Sequence, residues 1–150
     1  MTSARLIAAG LGTGFAPIAP GTVASLAALL TGVALFALSP WLLLVAAVAA
    51  TVGGYAAIVR LNPDGDHGWI VIDEVAGQWL TLLGLARLSW TGCILAFVLF
   101  RLLDVTKLGP IGWADRRHNP FGIMADDVIA GIIAGLLLFA LGFLRPYWMF

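Results

Sequence analysis

The chain has 150 residues, of which 61% are hydrophobic and 11% are charged, with a mean hydropathy of +1.02 and no net charge at neutral pH. Soluble domains carry about 25% charged residues, so this composition excludes an ordinary soluble domain and indicates an integral membrane protein. The zero net charge gives no support for nucleic-acid binding, and the single cysteine excludes a disulfide within the chain.

The amino-terminal part of the chain contains no charged residue between Arg5 and Arg60. Within it, the glycines and prolines of residues 10–21, GLGTGFAPIAPG, predict an ordered loop. Two hydrophobic runs follow, at residues 22–38 and 41–59, each close to the roughly 20 residues that a membrane span requires. A single Ser-Pro break separates them, which predicts a helical hairpin whose outer ends return to one membrane face.

The middle of the chain begins with a polar turn at residues 60–68, followed by two more apolar runs at 75–86 and 90–103. A helix over the first run would be only about 18 Å long. We therefore expect it to be half-buried against its neighbours and not to cross the bilayer unaided. As a second hairpin, the two runs bring Asp104 to the membrane face that carries Asp73.

The carboxyl-terminal part consists of a polar segment at residues 104–125 and a last predicted helix from Asp126 to Leu144. The fold class is thus all-α, a compact bundle of membrane-embedded helices that forms one domain over residues 1–150. In this topology three polar segments converge on one membrane face; they are residues 10–21, 60–74 and 104–127.

The basic and aromatic residues predict how the bundle is oriented. The basic residues on the polar face are Arg5, Arg60, Arg101, Lys107, Arg116 and Arg117. Only two lie on the opposite face, so the positive-inside rule places the polar face in the cytoplasm. We expect Trp41, Trp90 and Trp148 at one interface and Trp69 and Trp113 at the other, with Trp79 packed inside the bundle.

All acidic residues map to the same polar face. They are Asp64, Asp66, Asp73, Glu74, Asp104, Asp115, Asp126 and Asp127. An unpaired carboxylate at bilayer depth costs about 2.5–3.5 kcal/mol, which explains why acids lie at helix ends but not why they share one end.

Structural roles account for some of these acids taken singly. Either Asp126 or Asp127 can cap the amino terminus of the last helix. Asp104 can pair with Arg101 or Lys107, three residues away on either side. These alternatives remain open from the sequence, although capping needs one aspartate and not two.

A joint role explains the acids better. On a helix that begins near Asp73, Glu74 and Gln78 share a polar face that is predicted to point into the bundle, and Thr81 extends it. Carboxylates from three segments repel one another unless a cation lies between them. Oxygen ligands without His or Cys partners favour Mg²⁺ or Ca²⁺ over zinc, and nearby basic residues suit a phosphate group.

Four motifs, which follow one another along nearly the whole chain, resemble those of a known protein family. They are GTGFAPIAPGTVAS, DHGWIVIDEVAGQW, FRLLDVTKLGPIGWADRR and FGIMADDVIAG. With them the sequence resembles the phosphatidylglycerophosphatase A family. Leu108, Gly112 and the Asn119-Pro120 pair depart from that family's pattern of proline, a basic residue and glycines.

The resemblance implies a Mg²⁺-dependent enzyme of the bacterial inner membrane, with its site facing the cytoplasm. Its substrate would be the membrane lipid phosphatidylglycerophosphate, whose terminal phosphomonoester is hydrolysed to phosphatidylglycerol and phosphate. The nucleophile would be either a metal-polarised water or an aspartate that forms an acyl phosphate, and the sequence does not choose between them.

The resemblance also assigns residues to roles. The expected metal ligands are Asp73, Glu74, Asp126 and Asp127, with Asp104 as a further ligand or a group behind the ligands, and the family's acidic positions include Asp66. The expected substrate contacts are Lys107, Arg116, Arg117 and Thr22. The expected catalytic residues are Asp73, Glu74, Asp104, Lys107, Asp115 and Arg116.

Two other classes of protein compete with this hypothesis. A small ion-translocating or accessory membrane protein would use its carboxylates as a cation relay, but a relay needs acids throughout the bilayer depth. Here the middles of the apolar runs contain none. A CDP-alcohol phosphotransferase also uses clustered aspartates, but the spacing DGxxAR…GxxxDxxxD is absent.

Overall fold

The computed structural model describes residues 2–63 and 67–144, and over these ranges every regular element is helical, which confirms the predicted all-α fold. The helices are α1 (Ser3–Ala8), α2 (Pro20–Leu38), α3 (Pro40–Leu61), α4 (Ile72–Leu82), α5 (Trp90–Thr106), α6 (Pro110–Asp115) and α7 (Pro120–Leu144), and a 3₁₀ turn, Gly10–Phe15, lies between the first two. The predictions for Asp64, Asp66 and Trp148 concern positions outside the described residues.

Helices α2 and α3 form the predicted hairpin. The Ser39 hydroxyl accepts a hydrogen bond from the Trp41 amide at 3.2 Å, and Pro40 occupies the first helical position of α3. Among the described residues, α2, α3 and α7 are the three helices long and apolar enough to cross a membrane. The predicted hairpin therefore supplies two of the spans.

Helix α4 is the short central helix, as expected, and it packs against α2, α3, α5 and α7. It has 11 residues, so it is about 16 Å long and too short for a hydrocarbon core of about 30 Å. The helix is displaced from the predicted apolar run of residues 75–86, because tight turns over Gly84 and Leu85 end it at Leu82. Trp79 donates to the Ala28 carbonyl at 2.8 Å, which confirms that it packs inside the bundle.

Glycines allow the backbone of α7 to touch the backbone of α4 and of the turn that follows it. A Cβ atom at Gly131 would stand 2.4 Å from the carbonyl oxygen of Gly77, and one at Gly84 would stand 2.0 Å from that of Gly135. No side chain fits at such a distance, so small residues are required along this contact, as predicted for α7. The contact holds Asp127, one turn before Gly131, beside α4.

The start of α7 differs from the prediction. The helix begins at Pro120 and not at Asp126, because the Asn119 side chain accepts a hydrogen bond from the Gly122 amide at 2.8 Å and Pro120 suits the first helical position. Asp126 and Asp127 therefore lie inside the helix, and the interpretation that either caps it is wrong. Helix α6 within the same polar segment was also not predicted.

The amino-terminal segment packs on the residues that precede α4. The Val71 amide donates to the Ala8 carbonyl at 2.9 Å, and the Arg5 guanidinium lies 5.2 Å from the Trp69 ring and 5.9 Å from the Phe15 ring. The first two polar segments thus meet on one face. The segment predicted as a loop, residues 10–21, contains the 3₁₀ turn and the start of α2.

Candidate functional site

Five acidic side chains meet where α4, α5 and α7 come together at the polar face. They are Asp73, Glu74, Asp104, Asp126 and Asp127. Two groups of three place carboxylate oxygens within 4.8 Å of one another: the first is Asp73, Glu74 and Asp127, and the second is Asp104, Asp126 and Asp127. Asp127 belongs to both groups and is only 3% exposed.

Local structure turns these carboxylates toward one another. Asp73 and Glu74 lie in the first turn of α4, where the partial positive charge of the helix terminus stabilises anions. Asp73 accepts a hydrogen bond from the Glu74 amide at 3.0 Å, and Asp126 accepts one from the Asp127 amide at 2.9 Å. In each adjacent pair, one carboxylate is thereby fixed by the backbone of the other residue.

Two members of the second group, Asp104 and Asp126, are already paired with basic side chains. Lys107 Nζ lies 3.1 Å from Asp104 Oδ1 and 3.5 Å from Asp115 Oδ1, and it donates a short hydrogen bond to Asp126. Arg101 Nη1 lies 2.5 Å from the other oxygen of Asp104. Both pairings expected for Asp104 are therefore present. Lys107 also contacts two further carboxylates, those of Asp115 and Asp126, which the sequence did not connect to it.

Lys107 has an energetically costly backbone conformation and a permanent positive charge. It ends α5 with a left-handed backbone, φ +50°, a conformation that costs a non-glycine residue about 1–2 kcal/mol. Burial alone would lower the pKa of Lys107, but the carboxylates of Asp127 and Asp126 outweigh burial and raise it above its ordinary value. Lys107 is therefore a fixed positive charge at neutral pH.

No carboxylate of the first group forms a direct ion pair within the described part of the chain. Glu74 Oε2 and Asp127 Oδ1 are buried without any hydrogen-bond partner there. Burial, followed by the charge of Glu74, raises the pKa of Asp73 well above its ordinary range. Burial also raises the pKa of Glu74. Carboxyl groups are therefore crowded beside Asp73 without a direct ion pair, and a cation placed between them would relieve their repulsion.

Gln78 extends this group into the bundle. Its side chain is fully buried one turn after Glu74, and neither its amide nitrogen nor its amide oxygen has a partner among the described residues. An unsatisfied buried polar group costs about 1–3 kcal/mol. The shared face of Glu74 and Gln78 was visible in the sequence, but Gln78 was not predicted as a member of the site.

Arg101 is a second residue that the prediction of site residues missed. Besides its contact with Asp104, its guanidinium donates to Ser25 Oγ at 3.5 Å and to Thr22 Oγ1 at 3.4 Å. The i, i+3 spacing to Asp104 was a signal in the sequence, whereas the contacts to α2 were not. Thr22, predicted as a substrate contact, is exposed, and its hydrogen bond with Arg101 places it at the edge of the site.

The remaining predicted residues lie around the second group. Asp115 and Asp126 line a cavity of about 270 Å³ together with His118, and Arg116 is exposed beside Asp115. The guanidinium of Arg117 lies over the Trp113 ring at 4.1 Å, so its planar face is already in contact with an aromatic side chain. The structure thus brings the predicted residues that it describes, which do not include Asp66, to one region, and their roles stay predictions.

Comparisons with known proteins agree with the motifs. The family model described as Phosphatidylglycerophosphatase A matches residues 6–142. A protein of that name from Escherichia coli is 42% identical over 143 residues, covering 92% of this chain and 83% of the relative. One from Haemophilus influenzae is 40% identical over 150 residues, covering 97% and 90%.

A third relative carries a different substrate in its name. It is a Bacteroides thetaiotaomicron protein named "Putative phosphatidylinositol-3-phosphatase", 35% identical over 143 residues and covering 89% of each chain. No solved structure matches the chain.

Proposed function

Because the chain belongs to the phosphatidylglycerophosphatase A family, it is a membrane-embedded lipid phosphatase, and we propose that its substrate is phosphatidylglycerophosphate. Hydrolysis of the terminal phosphomonoester then yields phosphatidylglycerol and inorganic phosphate. The observation that carries this proposal is the buried group of Asp73, Glu74 and Asp127 at the polar face, next to basic side chains.

We propose that this group holds Mg²⁺. The residues fit the ion: all donors are carboxylate oxygens, and the buried Glu74 Oε2 and Asp127 Oδ1 have no partner among the described residues. A bound divalent cation would supply positive charge for the phosphate oxygens of the substrate. Since Arg101 and Lys107 already pair with Asp104 and Asp126, we propose one ion per chain, at the first group.

The basic residues near the carboxylates make different contacts, and we assign them different roles. Lys107 fixes three carboxylates and keeps Asp126 in place. Arg116 is exposed and makes no ion pair among the described residues, so its guanidinium is available to the phosphate. Arg101 is tied to α2 and Asp104 and holds the position of both.

The same basic residues indicate how the protein is oriented in the membrane. Arg101, Lys107 and Arg116 lie at the end of the bundle that carries the carboxylates. An excess of basic residues on one face favours the cytoplasmic side. We therefore propose that the site faces the cytoplasm from the bacterial inner membrane.

The test measures phosphate release by purified protein in mixed micelles that contain phosphatidylglycerophosphate or phosphatidylinositol 3-phosphate. We expect release from phosphatidylglycerophosphate, loss of activity with EDTA and recovery with added Mg²⁺. Asp127→Asn should be inactive and helical by circular dichroism, whereas Val45→Ala on the exposed surface of α3 should retain activity. Preference for the inositol lipid would overturn the substrate, and activity resistant to EDTA would overturn the metal.

A further inference from the structure

A long groove opens beside the carboxylates, between the 3₁₀ turn, α2 and α4, with a volume of about 550 Å³. Leu11, Ile72 and Val75 line the end near the site, and Ala34 and Leu38 line the far end. From Ala27 to Leu38 on α2 the groove extends about 16 Å at 1.5 Å per residue. Its volume lies within the range of about 300–1,000 Å³ that is typical of small-molecule sites.

The groove offers an apolar surface although three polar side chains line it. Thr31 donates to the Ala27 carbonyl at 2.9 Å, Thr13 donates to the Gly10 carbonyl at 3.0 Å, and Trp79 donates to the Ala28 carbonyl at 2.8 Å. Each of these polar groups is therefore satisfied within the protein. What remains for a ligand is hydrocarbon, which suits an apolar chain and not a sugar or a charged group.

The same two helices that form the groove also meet at the carboxylates. On α4, Val75 in the groove directly follows Glu74 in the site. On α2, Gly21 contacts the Glu74 carboxylate, and Ala28 lines the groove two turns later. A molecule with its phosphate at the carboxylates thus has a continuous apolar path down the side of the protein.

We propose that this groove binds one acyl chain of the phospholipid whose phosphate lies at the carboxylate site, an inference that rests on the proposed function. The α2–α4 groove is the larger of two candidates next to the site. A second groove, between α3 and α7, has about 300 Å³ and is lined by Val52, Tyr55 and Met124. Occupation of that groove is an alternative outcome of the test.

Photochemical labelling tests where the chain lies. The probe is a non-hydrolysable phosphonate analogue of phosphatidylglycerophosphate with a diazirine on one acyl chain, added to wild-type protein in mixed micelles. We expect labels at Thr31, Ala34 and Trp79 that excess unlabelled analogue removes. Labels mainly at Val52 and Met124, or labels that the analogue does not remove, would overturn the proposal.

Narrowing the groove tests its contribution to substrate binding. Ala34→Phe fills the far end, and Ala49→Phe places the same side chain on an exposed part of α3 outside either groove. We expect Ala34→Phe to raise the ratio of KM for dioleoyl to KM for dihexanoyl substrate by about fourfold to fifteenfold, the effect of displacing one or two methylene groups. Ala49→Phe should leave the ratio unchanged.

The two proposals fail in different ways. If the wild-type protein releases no phosphate from phosphatidylglycerophosphate of either chain length, the proposed function fails. If it releases phosphate but Ala34→Phe shows the wild-type ratio, only the groove proposal fails. The milder variant Ala34→Leu, expected to change the ratio in the same direction, replaces Ala34→Phe if the latter does not fold.

Discussion

The Glu74 carboxylate lies directly against the main chain of Gly21, where a Cβ atom would stand 2.2 Å from Glu74 Oε1. This contact joins the start of α2 to the carboxylate site. Because no side chain fits between them, the absence of a Cβ at position 21 determines where the Glu74 carboxylate can lie.

Gly21→Ala should therefore displace Glu74 and lower activity. A displacement of about 1 Å at a catalytic site reduces rates by about 100-fold, so we expect kcat to fall by about 10- to 100-fold. The measurement is phosphate release under saturating substrate. Gly53→Ala is the matched control, since a Cβ at Gly53 has no atom within 4 Å; it should keep full activity. Wild-type kcat in Gly21→Ala would show that the position of Glu74 is not critical.

Lys107 and Asp126 should be coupled in stability. Lys107→Met leaves buried carboxylates without their cation, and we expect it to lower the free energy of unfolding by about 1–3 kcal/mol. Asp126→Asn removes one of those carboxylates, so the double variant should be more stable than the sum of the two single effects, with a coupling of about 0.5–3 kcal/mol. Denaturant unfolding in detergent measures all four proteins. Additive effects would contradict the pairing.

The pH dependence of this coupling has a definite sign. Because the folded pKa of Lys107 is raised, its stabilising effect is fully present below the ordinary lysine pKa of about 10.4 and is lost only as pH rises through the higher folded value. The difference in unfolding free energy between wild type and Lys107→Met should therefore not decrease from about pH 7 to 9. A decline within that range would show that Lys107 titrates there.

The parts of the fold that were predictable from sequence are those that the bilayer constrains. Apolar runs of span length have few alternatives to a helix, because backbone polar groups need internal partners in lipid. The bounds of α2 and α3 therefore differ from the predicted runs by only two residues or fewer at each end. The meeting of Asp73, Glu74 and Asp127 followed from that topology, since both helices had to present their polar ends on the same face.

The polar segment before α7 was less predictable, because its contacts join residues far apart in the chain. The start of α7 was placed at Asp126, although Asn119-Pro120 is a capping residue followed by a favourable first residue and was a usable signal. The position of Arg117 over Trp113 and the contact of Lys107 with Asp126 depend on the path of α6. No periodicity encodes such a path.

The number of bound ions distinguishes the two carboxylate groups. Since Arg101 and Lys107 pair with Asp104 and Asp126, we expect one Mn²⁺, used as a paramagnetic substitute for Mg²⁺, to bind per chain in an electron paramagnetic resonance titration. Asp73→Asn should weaken that binding by at least about tenfold, since even the loss of a group behind the ligands weakens metal binding by about 10- to 100-fold. Asp104→Asn should retain it. Two ions of similar affinity would place a cation in the second group as well.

We expect the Gln78 side chain to support activity while it lowers the stability of the fold. Gln78→Leu keeps the approximate shape of the side chain and removes two buried polar atoms that have no partner among the described residues, so we expect the unfolding free energy to rise by about 1–2 kcal/mol while kcat falls. Thr81→Val is the contrasting control on the same face. Its hydroxyl donates to the Gly77 carbonyl at 2.9 Å, so its loss should lower stability and leave activity intact. If Gln78→Leu were both more stable and fully active, the amide would have no role in the site, and the first group alone would define it.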